Sequence, residues 1–438
     1  MLDVLFCNAC IITMEDSNAV IPNGFVGVRG KDIVFVGEQA PEEPAKRRLD
    51  CQRHILLPGL VNTHTHTAMC VMRGYADDYR LQEWLEDHVL PAEARLDQRA
   101  VVAGARLGFA EMIRSGTTSI SDMYFSIPAI AHCAVECGIR ATLSNATLSM
   151  DPSHFAYDQD NSIRELQELL NTLHGADEGR IRAEASIHGE YTSAPEIWEY
   201  VRDIALEKGL RMHLHLSETR SEQEACLARY GKTPTRMFYE HGVFDVPTLA
   251  AHCVWVTQED MELLAQKGVS AAHNPVSNLK LASGIARVGE LKRHGVNVSL
   301  GTDGCCSNNS HDLFEEIKLA ALLQKGVTHD PTALCAYEAL KMATVNGAIA
   351  QGREHEIGRI REGLRADIIL LDLRAPHLQP VYHPVSTVVY SARGSDVSLT
   401  MVQGKVLYEN GVFTTIDLEK TMAEANGYAV PRVLGAEG

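Results

Sequence analysis

Pro58-Gly59-Leu60-Val61-Asn62-Thr63-His64-Thr65-His66 is an apolar, strand-like run that ends in two histidines one residue apart. Seven more apolar runs follow: Thr117–Tyr124, Gly138–Asn145, Ile181–His188, Leu210–Ser217, Thr248–Val254, Val269–His273 and Val296–Gly301. Helix-period patterns lie between them, at Asp97–Arg114, Ile163–Leu173, Ala194–Lys208, Ser221–His241 and Gln258–Lys267. Eight β–α alternations predict a (β/α)8 barrel rather than an open sheet. A doubly wound dinucleotide fold is disfavoured, because no G-x-G-x-x-G follows any of the runs.

Short strands and turns flank this middle. Val4–Met14 and Ile33–Gly37 are apolar, with turn signals at Pro22-Asn23-Gly24 and Arg29-Gly30-Lys31. Near the other end Asp367–Leu373, Thr387–Tyr390 and Ser398–Tyr408 read as strands, with turns at Gly404-Lys405 and Asn410-Gly411. The expected organisation is an α/β chain with a barrel over 57–360. Residues 1–56 and 361–415 would join in a small β-sandwich, and 416–438 would form a helix and tail.

With 438 residues the chain can bury a large core. A hydrophobic share of 45% and a charged share of 22% are those of an ordinary globular protein. The formal net charge of −17 repels phosphate backbones and anionic membranes, so neither nucleic acid nor a membrane is the expected partner. Asp3 follows the start and no basic segment precedes Val4–Phe6, so no signal peptide is expected. No apolar run approaches the ~18 residues of a membrane span. Eleven scattered cysteines do not make a disulfide framework and fit a reducing cytoplasm. The lone Cys7-Asn8-Ala9-Cys10 reads as part of a strand rather than half of a zinc site.

The chemistry is written at the ends of the runs. Residues two apart on a strand share a face, so His64 and His66 aim two imidazoles into the barrel mouth. That is much of a catalytic zinc site, and a buried H-x-H needs a metal or a charge to satisfy it. His188 ends the fourth run, His213 and His215 the fifth, His252 the sixth, His273 the seventh and Asp303 the eighth, with Glu218 just beyond His215. Active sites of such barrels sit at these strand ends. His213 and His273 read equally well as hydrogen-bonded structural histidines. A lone buried Asp303 would be costly, which favours a metal partner. The deaminase design that pairs H-x-E with P-C-x-x-C has only its first half here, at His188-Gly189-Glu190. No G-x-S-x-G supports a serine hydrolase.

The run Pro58–His66 resembles the metal motif of the amidohydrolase superfamily. Further matches are His215-Leu216-Ser217-Glu218-Thr219, His252-Cys253, His273-Asn274-Pro275-Val276-Ser277-Asn278, Gly301-Thr302-Asp303-Gly304 and, near the end, Gly363–Asp367. Ser277–Gly284 and Asp303–Asn309 are similar to the 5-methylthioadenosine/S-adenosylhomocysteine deaminases. The resemblance implies metal-dependent deamination of an adenine nucleoside to its inosine analogue and ammonia. It implies one divalent ion, zinc, held by His64, His66, His215 and Asp303. A single ion is implied because binuclear members use a lysine in the fourth run, and none stands between Arg180 and Gly189. Glu218 would protonate a ring nitrogen, His252 would sit beside the attacking water, and Asp303 would move its proton to the leaving amine. Glu93 would bind the ribose hydroxyls, Trp84 would wall the pocket, and His188 would contact the ligand. Asn145 stands where these deaminases commonly carry an arginine, and Arg164 is the candidate replacement. Parts of the motifs are shared with triazine hydrolases and guanine-type deaminases, so another aminated or chlorinated N-heterocycle is the alternative substrate. A non-catalytic scaffold would be expected to lose ligands, and all four stand here. Members often form dimers or tetramers, so a homo-oligomer is compatible with the resemblance.

Overall fold

The computed structural model describes residues 1–17 and 20–436; the last two residues of the expected tail lie outside this range. Both chain ends build one mixed sheet of nine strands. The N-terminal part supplies β1 (Leu2–Ile12), β2 (Val20–Arg29), β3 (Asp32–Gly37), β4 (Ala45–Asp50) and β5 (His54–Pro58). The barrel strands then follow: β6 (Leu60–Thr65), β7 (Thr117–Met123), β8 (Arg140–Ser144), β9 (Ile181–Ala183), β10 (Ala185–Ser186), β11 (Met212–Leu216), β12 (Thr248–His252), β13 (Ser270–His273) and β14 (Asn297–Leu300). The chain returns to the first sheet with β15 (Ile368–Asp372), β16 (Val397–Val402), β17 (Lys405–Glu409) and β18 (Val412–Phe413). β5 and β15 pair antiparallel, Leu56 opposite Leu370, and so fasten the two ends together.

Strand alternation explains how this sheet serves two cores. Ile55 and Leu57 of β5, with Ile369 and Leu371 of β15, belong to the main core of the barrel. Leu56, Ile368 and Leu370, which point the other way, pack with Phe6, Val26, Val28, Ile33, Leu399 and Met401 in a second, smaller core.

The barrel strands are parallel from β6 through β9 and from β10 through β14. The fourth run is split at Glu184: its N–H bonds Leu143 O on one side, and Ala185 N–H bonds Arg211 O on the other. β14 closes onto β6 through the N–H groups of Thr302 and Asp303, both donated to His64 O at 3.1 and 2.9 Å. This closure sets the first and last metal-capable segments side by side.

Three local expectations differ from the structure. Thr387–Tyr390 is helical, within Pro384–Tyr390. Its β-branched residues suggested a strand, but Pro384 starts a helix and Thr387, Val388 and Val389 are buried. Pro22-Asn23-Gly24 is no hairpin turn; it lies inside β2, where Gly24 faces Ala9 at a register shift. The helical stretch Ser221–His241 is two helices, Arg220–Tyr230 and Pro234–Glu240, because Gly231 ends the first in the left-handed region and Pro234 opens the second. Among the described residues no helix is long and apolar enough to cross a membrane.

Candidate metal centre and catalytic cleft

The ends of β6, β11 and β14 carry His64, His66, His215 and Asp303 to one side of the barrel, and the barrel closure brings them together. His66 Nε2 lies 3.2 Å from Asp303 Oδ1, His64 Nε2 lies 3.4 Å from the same oxygen, and His215 Nε2 lies 3.3 Å from His66 Nε2. Donors bound at ~2.0–2.1 Å around one tetrahedral ion stand roughly 3.3–3.4 Å apart. The spacing therefore fits a single divalent cation. His64 Nε2 is buried and, among the described residues, makes no hydrogen bond, the orphaned donor atom that such an ion satisfies.

The other ring nitrogens are held in place. His66 Nδ1 donates to Met123 O at 2.5 Å and His215 Nδ1 to His188 O at 2.7 Å. His64 Nδ1 lies 3.0 Å from His213 Nε2. Fixing one nitrogen turns the other inward, as metal-binding imidazoles require. The carboxylate is steadied likewise. Ser277 Oγ and Ser307 Oγ donate to Asp303 Oδ2 at 2.6 and 3.0 Å, and Gly304 N–H donates to Oδ1 at 2.9 Å.

Electrostatics match this arrangement. Burial holds the His64 imidazole down at about 4 and pushes His215 well below the usual range, which leaves both rings neutral with a lone pair to offer. For His66 burial acts downward too, but the hydrogen bond and charge of Asp303 raise it to about 9. Burial would raise the Asp303 carboxyl, yet His64 and His66 keep it well below the ordinary range. An ionised carboxylate at this depth demands positive charge beside it, which a divalent ion would supply.

A cleft of about 1000 Å³, its open mouth included, runs from this cluster outward. Glu218 and His252 stand at its base, His252 Nε2 being 3.8 Å from Glu218 Oε2. Ser283 Oγ donates to Glu218 Oε1 at 2.9 Å, and His252 Nδ1 donates to Asn278 Oδ1 at 2.8 Å. Glu222 holds the backbone beneath, accepting from Ser217 N–H and Glu218 N–H at 2.9 and 2.7 Å. Burial pushes the Glu222 carboxyl up to about 7. Trp84, Glu93, Asn145 and His188 line the same cleft. Burial raises the Glu93 carboxyl, opposed by the Tyr124 hydroxyl and by His66.

Two expected residues sit differently. Arg164 is exposed and does not line the cleft, because the buried face of its helix, Asn161–Thr172, is formed by Ser162, Ile163, Leu166 and Leu169. Asn145 is not free: its Nδ2 donates to Glu165 Oε2 at 2.7 Å. His213 lies behind the cluster, against His64, and His273 is buried with neither ring nitrogen hydrogen-bonded among the described residues. Ser277, Ser283, Ser307, Asn278 and Glu222 were not assigned roles from the sequence. Four of them lie in the stretches Ser277–Gly284 and Asp303–Asn309, whose resemblance was the only signal they gave.

A model described as the amidohydrolase family matches residues 55–407. A 5′-deoxyadenosine deaminase from Methanosarcina mazei is 44% identical over 97% of each chain. A 5-methylthioadenosine/S-adenosylhomocysteine deaminase from Moorella thermoacetica is 44% identical over 93% of this chain and 95% of its own. Among solved structures, an adenosine deaminase from Xanthomonas campestris with bound zinc superposes with a TM-score of 0.93 at 33% identity, covering 99% of both chains.

Proposed function

The chain belongs to the amidohydrolase family, and on that premise we propose that it hydrolytically deaminates adenine nucleosides whose 5′ group is small or apolar. The products are the inosine analogue and ammonia. One observation carries the substrate assignment: the cleft joins the His/Asp cluster and Glu218 at its base to the Glu93 carboxylate, with no Lys or Arg among its described lining residues.

His64, His66, His215 and Asp303 are the residues that would hold a zinc ion. When bound there, zinc supplies Lewis acidity and makes water a competent nucleophile at neutral pH. Glu218, positioned by Ser283, delivers a proton to the purine N1 as C6 becomes tetrahedral. His252, its Nδ1 tied to Asn278, turns Nε2 toward the reacting face. Asp303 accepts the proton of the attacking water and passes it to the departing amino group. Glu93 accepts hydrogen bonds from the ribose hydroxyls, and a carboxylate denied them would be left poorly satisfied.

The 5′ preference follows from charge. A homocysteine carboxylate entering this cleft meets Asn145, whose amide is already committed to Glu165, and no lysine or arginine among the described lining residues. A charge-assisted contact with arginine is worth roughly 1.5–3 kcal/mol, or about ten- to a hundredfold. The test is kcat/KM for ammonia release. 5′-Deoxyadenosine and methylthioadenosine should exceed adenosylhomocysteine by about that factor, and free adenine should be slow. Asn145→Arg combined with Glu165→Gln, which frees the new arginine from its carboxylate neighbour, should narrow the gap. A natural preference for adenosylhomocysteine, or faster turnover of guanine or a triazine, would overturn the assignment.

A further inference from the structure

Behind the loop that carries Asp303 lies a second donor cluster, which the deamination reaction does not use. Cys70 Sγ, Cys305 Sγ and a ring nitrogen of His311 all fall within 4.8 Å of one another, and all three residues are buried. Cys70 belongs to the turn Thr67–Met72 that follows His66. Cys305 opens the short helix Cys305–Asn308, and His311 comes just after it. The two sulfurs are 3.4 Å apart.

The His311 ring is anchored from one side by Thr302. The Thr302 hydroxyl donates its single hydrogen to Asp303 O at 3.1 Å, a carbonyl that can only accept. The same Oγ1 accepts from Asn62 Nδ2 at 2.7 Å and lies 3.0 Å from His311 Nδ1. Thr302 thus holds Nδ1. Nε2 is buried and makes no hydrogen bond among the described residues. One nitrogen fixed by a neighbour and the other left bare is the arrangement of a metal-binding imidazole.

Two thiols and a bare imidazole nitrogen form a soft donor set. We propose that Cys70, Cys305 and His311 bind a second zinc ion, separate from the catalytic cleft. Binding displaces the two thiol protons to solvent and transfers no electrons, so two thiolates balance the dication. Glu111 Oε2, 4.0 Å from Cys70 Sγ, stands within reach of a fourth position. Arg73 lies beside Cys70 but is paired with Glu111, which offsets its charge. A filled site would clamp the turn after His66 to the loop after Asp303, joining two segments that flank the cleft.

Cobalt(II) substitution of the full-length protein, under a phosphine reductant, tests this. Cobalt bound through thiolate shows an intense near-ultraviolet charge-transfer band, whereas the nitrogen and oxygen donors of the cleft give none. Wild-type protein should take up two cobalt ions per chain and show the band. Cys70→Ser and Cys305→Ser should each lose the band and one ion, and His311→Gln should weaken binding at the same site. Cobalt-saturated wild-type protein with no such band would overturn the proposal, whether or not the variants fold. So would a band that survives both cysteine substitutions.

Discussion

A histidine can offer a metal only what the group behind it allows, and each of the three proposed as ligands has such a group. Met123 O orients His66, His188 O orients His215, and His213 stands behind His64. The H-x-H spacing made His64 and His66 legible from the sequence, because strand periodicity alone puts both on one face. Their partners were not legible. Two are backbone carbonyls from other parts of the barrel, which carry no residue-type signal, and Ser277, Ser283 and Ser307 look like any surface serine until the barrel closes. Arg164 shows the opposite failure: the resemblance made it the candidate replacement for an arginine at position 145, and the face of its helix turns it to solvent. The proton-transfer role is the sharpest claim at this scale. Glu218→Gln keeps an acceptor for Ser283 and removes the acid. It should retain metal and lose about 10²–10⁴ in kcat with 5′-deoxyadenosine. Metal analysis alongside steady-state kinetics checks both halves, and unchanged kcat would remove Glu218 from the chemistry.

At the scale of elements, the strand ends are where the backbone is under strain. Ser217, His252 and Asp303, at the ends of β11, β12 and β14, all have positive φ, at 47°, 73° and 61°. Each such residue costs of order 1–3 kcal/mol, and such residues cluster at functional sites. The alternation of eight runs with helical segments announced the barrel; the strained ends did not show, since a serine, a histidine and an aspartate carry no conformational mark. Gly301 illustrates a signal that did. A Cβ there would lie 2.4 Å from Asn274 Oδ1 and 2.8 Å from both His64 Cβ and His64 N. Backbone stands on one side and a buried side chain on the other, so neither yields. Gly301→Ala should displace His64, reducing bound metal and lowering kcat/KM at least about tenfold for ~1.4 kcal/mol of lost transition-state stabilisation. Full metal content with unchanged kinetics would show that the loop relaxes freely. The misread helix Pro384–Tyr390 has the same lesson in reverse: β-branched residues favour strands only weakly against a buried helical packing face.

For the whole molecule, the two chain ends matter because their shared sheet is bolted to the barrel floor. Arg140 of β8 is fully buried and grips Asp367, just before β15, through Nε and Nη2 at 3.0 and 2.9 Å. Asp367 also accepts from Gln403 N–H at 2.9 Å, and its carbonyl receives Gly59 N–H at 3.0 Å. Breaking one side of such a pair strands a buried charge at about 3–5 kcal/mol. Arg140→Ala should lower the urea midpoint accordingly, while Arg140→Met with Asp367→Leu should be less damaging than the single change. If the single change costs nothing, the pair does not join the sheet to the barrel. The central claim remains the chemistry in the cleft, and zinc-dependent ammonia release from 5′-deoxyadenosine measures it most directly. Stripped of metal by a chelator, the protein should be inactive. Restoring zinc should return ammonia in step with the inosine analogue, and His215→Ala should stay inactive at the same zinc. Ammonia release that persists in the stripped protein, or that zinc restores equally to His215→Ala, would contradict the account.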